Sequence, residues 1–150
     1  MQEAGYNTYY TGKLFNAHTV LNYDKPYVDG FNGSDFLLDP FTYSYLNSTY
    51  QRNRDPPVSY EGHYSIDVTA NKSLGFLEDA LQAIDERPFF LVAAPIGPHS
   101  HIDPVESHSN LPSVMRAPVP AERHRHLFKG AKIPRMENFN PDKVSESFIK

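Results

Sequence analysis

The most regular signal in the chain is the run Phe89-Phe90-Leu91-Val92-Ala93-Ala94, apolar at every position. A strand without a polar face is expected to be buried on both sides, as in a parallel sheet covered by helices. Just ahead of it, Ile66, Ala70, Leu74, Leu77, Leu81 and Ile84 recur at intervals of three and four. That spacing predicts one amphipathic helix from Ser65 to Asp85 with a single apolar stripe. Ser65 can cap its start, Asp67 suits the positive first turn, and Arg87-Pro88 ends it. Gly75 inside the helix is tolerated at a cost of about 1 kcal/mol. A helix followed by a buried strand is half of a βαβ unit, so the pattern predicts an α/β fold.

A second strand is expected near the N-terminus, where Thr8-Tyr9-Tyr10-Thr11 is β-branched and aromatic. Met1 to Ala4 reads as the tail of a helix whose beginning is missing, closed by Gly5 in a left-handed cap. Gly12 has no side chain, so a ligand or another backbone can approach closely beside Lys13. From Ala17 to Gly62 turn chemistry dominates: Asp24-Lys25-Pro26, Asp29-Gly30, Asn32-Gly33, Asp39-Pro40 and Asp55-Pro56-Pro57. Within it, Tyr43 and Tyr45 alternate with Thr42 and Ser44 as an edge strand would. From Ile102 onward prolines at 104, 112, 118, 120, 134 and 141 again predict loops. No internal repeat is present.

Composition narrows the class. With 39% hydrophobic residues among 150, the chain is not disordered and suits one modest domain. The 13 prolines against 8 glycines point to long ordered loops. A net charge of −4 gives no basic face for nucleic acid, and Glu122 to Lys129, though locally basic, reads as a solvated connector. No apolar run reaches the roughly 18–20 residues of a membrane helix, and Met1-Gln2-Glu3-Ala4 is no signal peptide. Cysteine is absent, which removes disulfides, thiolate nucleophiles and cysteine–zinc sites. Asn32, Asn47 and Asn71 each begin an Asn-x-Ser/Thr sequon, a lean toward glycosylation and the secretory pathway.

In an open α/β sheet the ligand sits beyond the carboxyl ends of the strands. Lys13 and His99 each follow a predicted strand there, and together they can hold a small anion. A lysine is a point charge for phosphate or sulfate oxygens, and a histidine can protonate a leaving oxygen near neutral pH. The plain alternatives are a surface lysine and a loop histidine without a role. His99-Ser100-His101-Ile102-Asp103 also fits an H-x-H-x-D zinc pattern, with Pro104 where another histidine is expected. Further ligands would then come from His108, His124 or His126. Asp29, Asp35, Asp39, Glu61 and Asp67 could form carboxylate pairs, although turn and cap roles explain most of them.

Gly5-Tyr6-Asn7-Thr8-Tyr9-Tyr10-Thr11-Gly12-Lys13 closely resembles the second signature of the type I sulfatases. Pro88 to Leu91, Pro95 and Pro98-His99 resemble that family's later strand and its active-site histidine. Gly33-Ser34-Asp35-Phe36 and Tyr64-Ser65-Ile66-Asp67 are similar to the segments between. The resemblance implies part of an alkaline-phosphatase-like sandwich, loop-rich, with a mostly parallel sheet covered by helices, and hydrolysis of aryl or sugar sulfate esters. It makes Lys13 and His99 the catalytic residues and Asn16 and His101 substrate-binding residues. Asn16 matches the K-Y-L-N form of glucosamine-6-sulfatase-like members, while Leu14 and Phe15 replace the usual tryptophan and histidine.

The family attacks sulfur with a formylglycine made from Cys or Ser in a C/S-x-P/A-S/x-R motif, and holds the sulfate with Ca2+. This chain has no Cys, and Asn110-Leu111-Pro112-Ser113-Val114 lacks both nucleophile and arginine. The calcium ligands are absent too, so no metal site is assigned. The expectation is that residues 1–150 form a partial catalytic domain, inert alone, whose partners are a sulfated substrate and the remainder of the domain. A histidine-metal hydrolase and a non-catalytic binding module stay as alternatives.

Overall fold

The computed structural model describes residues 1–83, 87–104, 114–136 and 139. Its centre is a five-stranded sheet in the order β4-β3-β2-β1-β5. The strands are β1 (Asn7–Lys13), β2 (Gly33–Leu37), β3 (Asn47–Arg52), β4 (Val58–Glu61) and β5 (Phe89–Ala94). β1 pairs in parallel with β2 and β5, and β3 is antiparallel to both its neighbours. Four of these five strands therefore run one way. The helix α1 (Ser65–Leu81) carries the chain from the β4 edge to the β5 edge across one face. The expected α/β sheet is present, with β1 between β2 and β5. A two-residue ladder, β6 (His101–Ile102) with β7 (Met115–Arg116), follows.

The expected Gly5 cap and the strand after it are both present. A 3-10 turn at Gln2–Ala4 closes on Gly5 at φ 85°, and β1 follows with Thr8, Tyr9 and Thr11 buried. Between β1 and α1 the outcome differs. Residues 17–62, read as turns, hold β2, β3 and β4, while Phe41–Tyr45, read as an edge strand, is a loop. The reason is chemical. Ser34, Asp35, Ser48, Thr49 and Gln51 are all buried, so these strands show no apolar–polar alternation.

The helix corrects two further expectations. Its N-cap is Tyr64, with no side-chain capping hydrogen bond, so Ser65 does not cap it; Asp67 does lie in the first turn. The buried positions are Ser65, Val68, Thr69, Phe76 and Ala80, whereas Leu74 and Leu81 of the predicted stripe are 57% and 71% exposed. The sheet chose another face because it offers polar partners. Tyr50 Oη lies 2.6 Å from Thr69 Oγ1, and Lys72 Nζ donates to the buried Asp35 carboxylate at 2.7 Å. Phe76 sits beside Tyr9 at 5.6 Å between ring centres. It occupies the place a Cβ on Gly33 would need. Ile84 and Asp85, the expected helix end, lie outside the described residues.

β5 also departs from expectation. It is an edge strand among the described residues, with Phe89 and Phe90 39% and 42% exposed, so it is not buried on both faces. α1 packs against it from one side, through Leu91 beside the Tyr9–Phe76–Ala80 cluster. The larger cluster joins Leu37, Tyr45, Tyr50, Val68 and Ile96. On the other face of the sheet Tyr10, Phe31 and Phe36 form an aromatic group with His18, all at centroid distances between 5.4 and 5.8 Å.

The chain divides into two compact units, Met1–Val119 and Pro120–Lys150. Of the second, the described residues include a 3-10 turn at Glu122–His124, with Arg125 paired to Glu122 at 2.8 Å. Residues 122–136 are exposed throughout, which agrees with a solvated connector.

Asp35 is completely buried and draws both Lys72 (2.7 Å) and Arg52 (3.5 Å) onto one carboxylate oxygen. Lys72→Met strands much of that charge and should lower unfolding stability by roughly 3 kcal/mol, read from denaturant midpoints. The double variant Lys72→Met/Asp35→Leu should recover most of the loss. A Lys72→Met chain as stable as the parent would show that the pair does not hold α1 to the sheet.

His18 is 5% exposed and lies between Phe15 and Phe36, with neither ring nitrogen in a hydrogen bond of full geometry. Burial pushes its pKa below the ordinary 6.5, against the opposing pull of the Tyr23 backbone and the Asp39 carboxylate. The unfolded chain therefore binds this proton at a higher pH than the folded one, and stability falls as pH drops through about 6.5. Replacing His18 with Gln should flatten the stability difference between pH 7 and pH 5. An unchanged slope would assign the acid sensitivity to other groups.

Candidate active site

β1 and β5 are parallel and in register, Gly12 opposite Ala94, so Lys13, the last residue of β1, and Pro95, the first after β5, come together at the carboxyl edge of the sheet. Gly12 makes this possible. It has φ 101°, and a Cβ there would overlap the Ala94 carbonyl. Another backbone, not a ligand, uses the space that glycine leaves.

Lys13 is half-buried and its Nζ donates to the Tyr43 hydroxyl, lying 4.6 Å from the centre of the same ring. That hydroxyl in turn donates to Asn16 Oδ1 at 3.2 Å. The His99 imidazole stacks on the Tyr43 ring at 4.1 Å and 23° between planes. Lys13, Asn16 and His99 therefore meet around Tyr43.

His99 is placed by a tight turn from the core. Its N–H donates to Ile96 O at 2.8 Å, and Ile96 is buried. Its own carbonyl accepts from the Tyr45 hydroxyl at 2.7 Å. Nδ1 faces Ser100, 2.9 Å from the carbonyl and 3.2 Å from Oγ. Nε2 makes no hydrogen bond among the described residues, and the side chain is exposed, so that nitrogen can meet a ligand.

The loop carrying Tyr43 is joined to the loop carrying His99 along its length. Ile102 N donates to Tyr43 O at 3.1 Å, and Tyr45 N to His101 Nδ1 at 3.4 Å. Tyr45 is 1% exposed, and burial raises its phenol pKa, with the neighbouring Tyr64 adding to the shift. Tyr43 and Tyr45 are the residues that sequence reasoning missed. Their alternation was visible, but it reports one ring turned to the site and one to the core, not a strand.

His101 does not share the site's geometry. With Nδ1 accepting from Tyr45, the proton sits on Nε2 and is donated to Asp103 Oδ1 at 2.9 Å. That hydrogen bond, with Arg116 also at hand, holds the Asp103 carboxyl below the usual carboxylate range despite some burial. Both ring nitrogens of His101 are engaged in tying loops together. The two histidines of H-x-H-x-D thus point to different partners, Tyr43 and Asp103. Among the described residues no three His, Cys, Asp or Glu side chains converge as metal ligands. His108 lies outside the described residues, as do residues 110–113 of the nearest serine string.

The sequon asparagines occupy different settings. Asn32 is exposed in the turn before β2, its Oδ1 accepting from Thr8 N at 2.8 Å. Asn47 opens β3 and is half-buried, and Asn71 is exposed on α1. Of the five acidic residues considered as pairs, Asp35 serves Lys72 and Arg52, Asp29 pairs with Arg54, and Asp39 accepts from Ala17 N at 2.9 Å.

A family model described as Sulfatase matches residues 1–124. The chain is 36% identical over 138 residues to an arylsulfatase of Volvox carteri, covering 89% of this chain and 20% of the relative. It is 38% identical over 104 residues to sulfatase ppz1 of Metarhizium majus, covering 69% of this chain and 22% of the relative. The chain thus spans about a fifth of the length of these curated relatives. A solved structure of BT4656, in complex with its substrate D-glucosamine-2-N,6-O-disulfate, aligns at a TM-score of 0.49 and 22% identity, over 65% of this chain and 17% of that one. With most of its length matched by the family model, and Lys13 and His99 gathered at one sheet edge, the chain belongs to the sulfatase family.

Proposed function

We propose that these residues form the sulfate-holding wall of a sulfuric ester hydrolase acting on aryl or sugar sulfates. The observation that carries this reading is the convergence of Lys13 and His99 on one ring at the carboxyl edge of parallel strands. Lys13 offers an ammonium to the sulfate oxygens, where negative charge gathers as the ester bond breaks. His99 is exposed, its Nε2 makes no hydrogen bond among the described residues, and in its imidazolium form it donates a proton to the leaving ester oxygen. Asn16, exposed beside Tyr43, adds an amide N–H for the substrate. His101 supports the His99 loop through Tyr45 and Asp103 and bears on the substrate through that loop.

The groups the family implies do not fit within the residues described. The chain contains no cysteine to become a formylglycine. Calcium would need several carboxylates together, but Asp39 and Asp103 near these loops are bound to Ala17 and to His101 and Arg116. No step is therefore routed through either group. The nucleophile and the calcium site belong to the remainder of a larger sulfatase domain, which is the partner this wall requires. The three sequons support passage through the secretory pathway and attachment of glycan at Asn32, Asn47 or Asn71.

The 150-residue chain should bind inorganic sulfate saturably in an NMR titration and hydrolyse no aryl sulfate. Lys13→Ala should weaken that binding by about tenfold or more, equivalent to about 1.4 kcal/mol. Unchanged sulfate affinity in Lys13→Ala would show that Lys13 does not hold the anion. Measurable turnover by the chain itself would refute the missing-nucleophile account.

A further inference from the structure

Tyr43 is the residue that the sulfate reading leaves without a role, yet Lys13, Asn16 and His99 all touch it. We propose that Tyr43 is a positioning residue: its hydroxyl holds the Lys13 ammonium and its ring face holds the His99 imidazole, so that one sulfate ester meets both. This inference rests on the sulfate reading of the same site and adds a residue to it.

The hydrogen-bond chain has only one possible polarity. An ammonium can only donate and an amide oxygen can only accept, so the hydroxyl between them must do both. It accepts from Lys13 Nζ and donates to Asn16 Oδ1 at 3.2 Å. A phenylalanine at 43 could do neither. One of the three ammonium protons is used in this way, which leaves two for an oxyanion.

The benefit is conformational. A lysine reaches its charge through a flexible four-carbon stem, and ordering that stem on binding would weaken the ligand's hold. In this site the stem is ordered before a ligand arrives. His99 presents the same problem in another form, being exposed on a loop between Pro98 and Ser100. Stacking at 4.1 Å fixes the plane of the imidazole, and the Ser100 contacts to Nδ1 fix which nitrogen faces outward.

A post must itself be rigid, and Tyr43 is. Its carbonyl accepts from Ile102 N at 3.1 Å, and its neighbours Thr42 and Ser44 are 2% and 3% exposed. The structural work of the loop falls to Tyr45, which fills the core and pins the His99 carbonyl. Tyr43 is half-buried and joins no core cluster. Its ring and hydroxyl meet Lys13, Asn16 and His99.

Two variants of the 150-residue chain separate the hydroxyl from the ring. Tyr43→Phe keeps the stack, so the His99 ring protons should keep their NMR shifts while inorganic sulfate binds roughly 2–10-fold more weakly, the cost of ordering one long side chain. Tyr43→Leu removes the aromatic shielding, so those protons should move downfield and sulfate should weaken at least as much. The proposal fails if Tyr43→Phe binds sulfate as tightly as the parent, or if Tyr43→Leu leaves the His99 shifts in place. A parent chain that binds no sulfate, with His99 shifts that still respond to Tyr43→Leu, overturns the sulfate reading and supports the hold on His99. Tyr43→Phe alters one oxygen on a half-buried ring, so it keeps the test decisive even if Tyr43→Leu does not fold.

Discussion

The parallel pairing of β1 with β5, closed at Gly12 and Ala94, is the constraint on which the rest of the site depends. A parallel ladder in register brings two strand ends to the same edge. Lys13 ends one of them, and the Pro95–His99 turn follows the other. Gly12 is needed because the Ala94 carbonyl lies where its Cβ would be, and because φ 101° excludes ordinary side chains. Substitution there would disturb the ladder and the lysine together, since both depend on one backbone approach.

The sheet behind that edge is held by polar chemistry to an unusual degree. Asp35, on β2 next to β1, is fully buried and reaches α1 through Lys72. Lys72 also contacts the Tyr60 hydroxyl at 3.0 Å and lies over the Tyr50 and Tyr60 rings. A lone buried carboxylate would be costly, and it is this arrangement of cations, hydroxyls and ring faces that makes it tolerable. The ion pair also specifies alignment. Sliding α1 by one residue would remove Lys72 from Asp35 and Thr69 from Tyr50 at once, whereas an apolar contact such as Tyr9 with Phe76 would adjust.

This chemistry explains what could be read from the residues and what could not. The glycine-capped N-terminus, β1, the helix and β5 were legible because propensity and apolar spacing act locally. Lys13, Asn16 and His99 were candidates through the family pattern, and the fold brings the three around one ring. β2 and β3 were hidden because Ser34, Asp35, Ser48 and Gln51 look like loop residues until their partners are known. The wrong helix face has the same origin. Leu74 and Leu81 are more apolar than Thr69 and Lys72, but only the latter have partners on the sheet. Exposure of Phe89 and Phe90 is likewise a tertiary fact, set by the position of β5 at the sheet edge among the described residues.

The loop at 41–45 shows how stability and function become linked through neighbouring residues. Tyr43 and Tyr45 are two apart, and their rings serve opposite tasks. Tyr45 is immobilised by the core and, through its hydroxyl, its N–H and its carbonyl, it binds His99 O, His101 Nδ1 and Ser65 N. The start of α1 is therefore bonded to the residue that positions the histidine turn. Tyr43 inherits its rigidity from this bonding and passes it to Lys13 and His99. A change that loosens the Tyr45 pocket would thus reach Lys13 and His99 without touching either side chain. The ordering of Lys13 is bounded by how firmly the core holds a tyrosine two residues away from the one it touches.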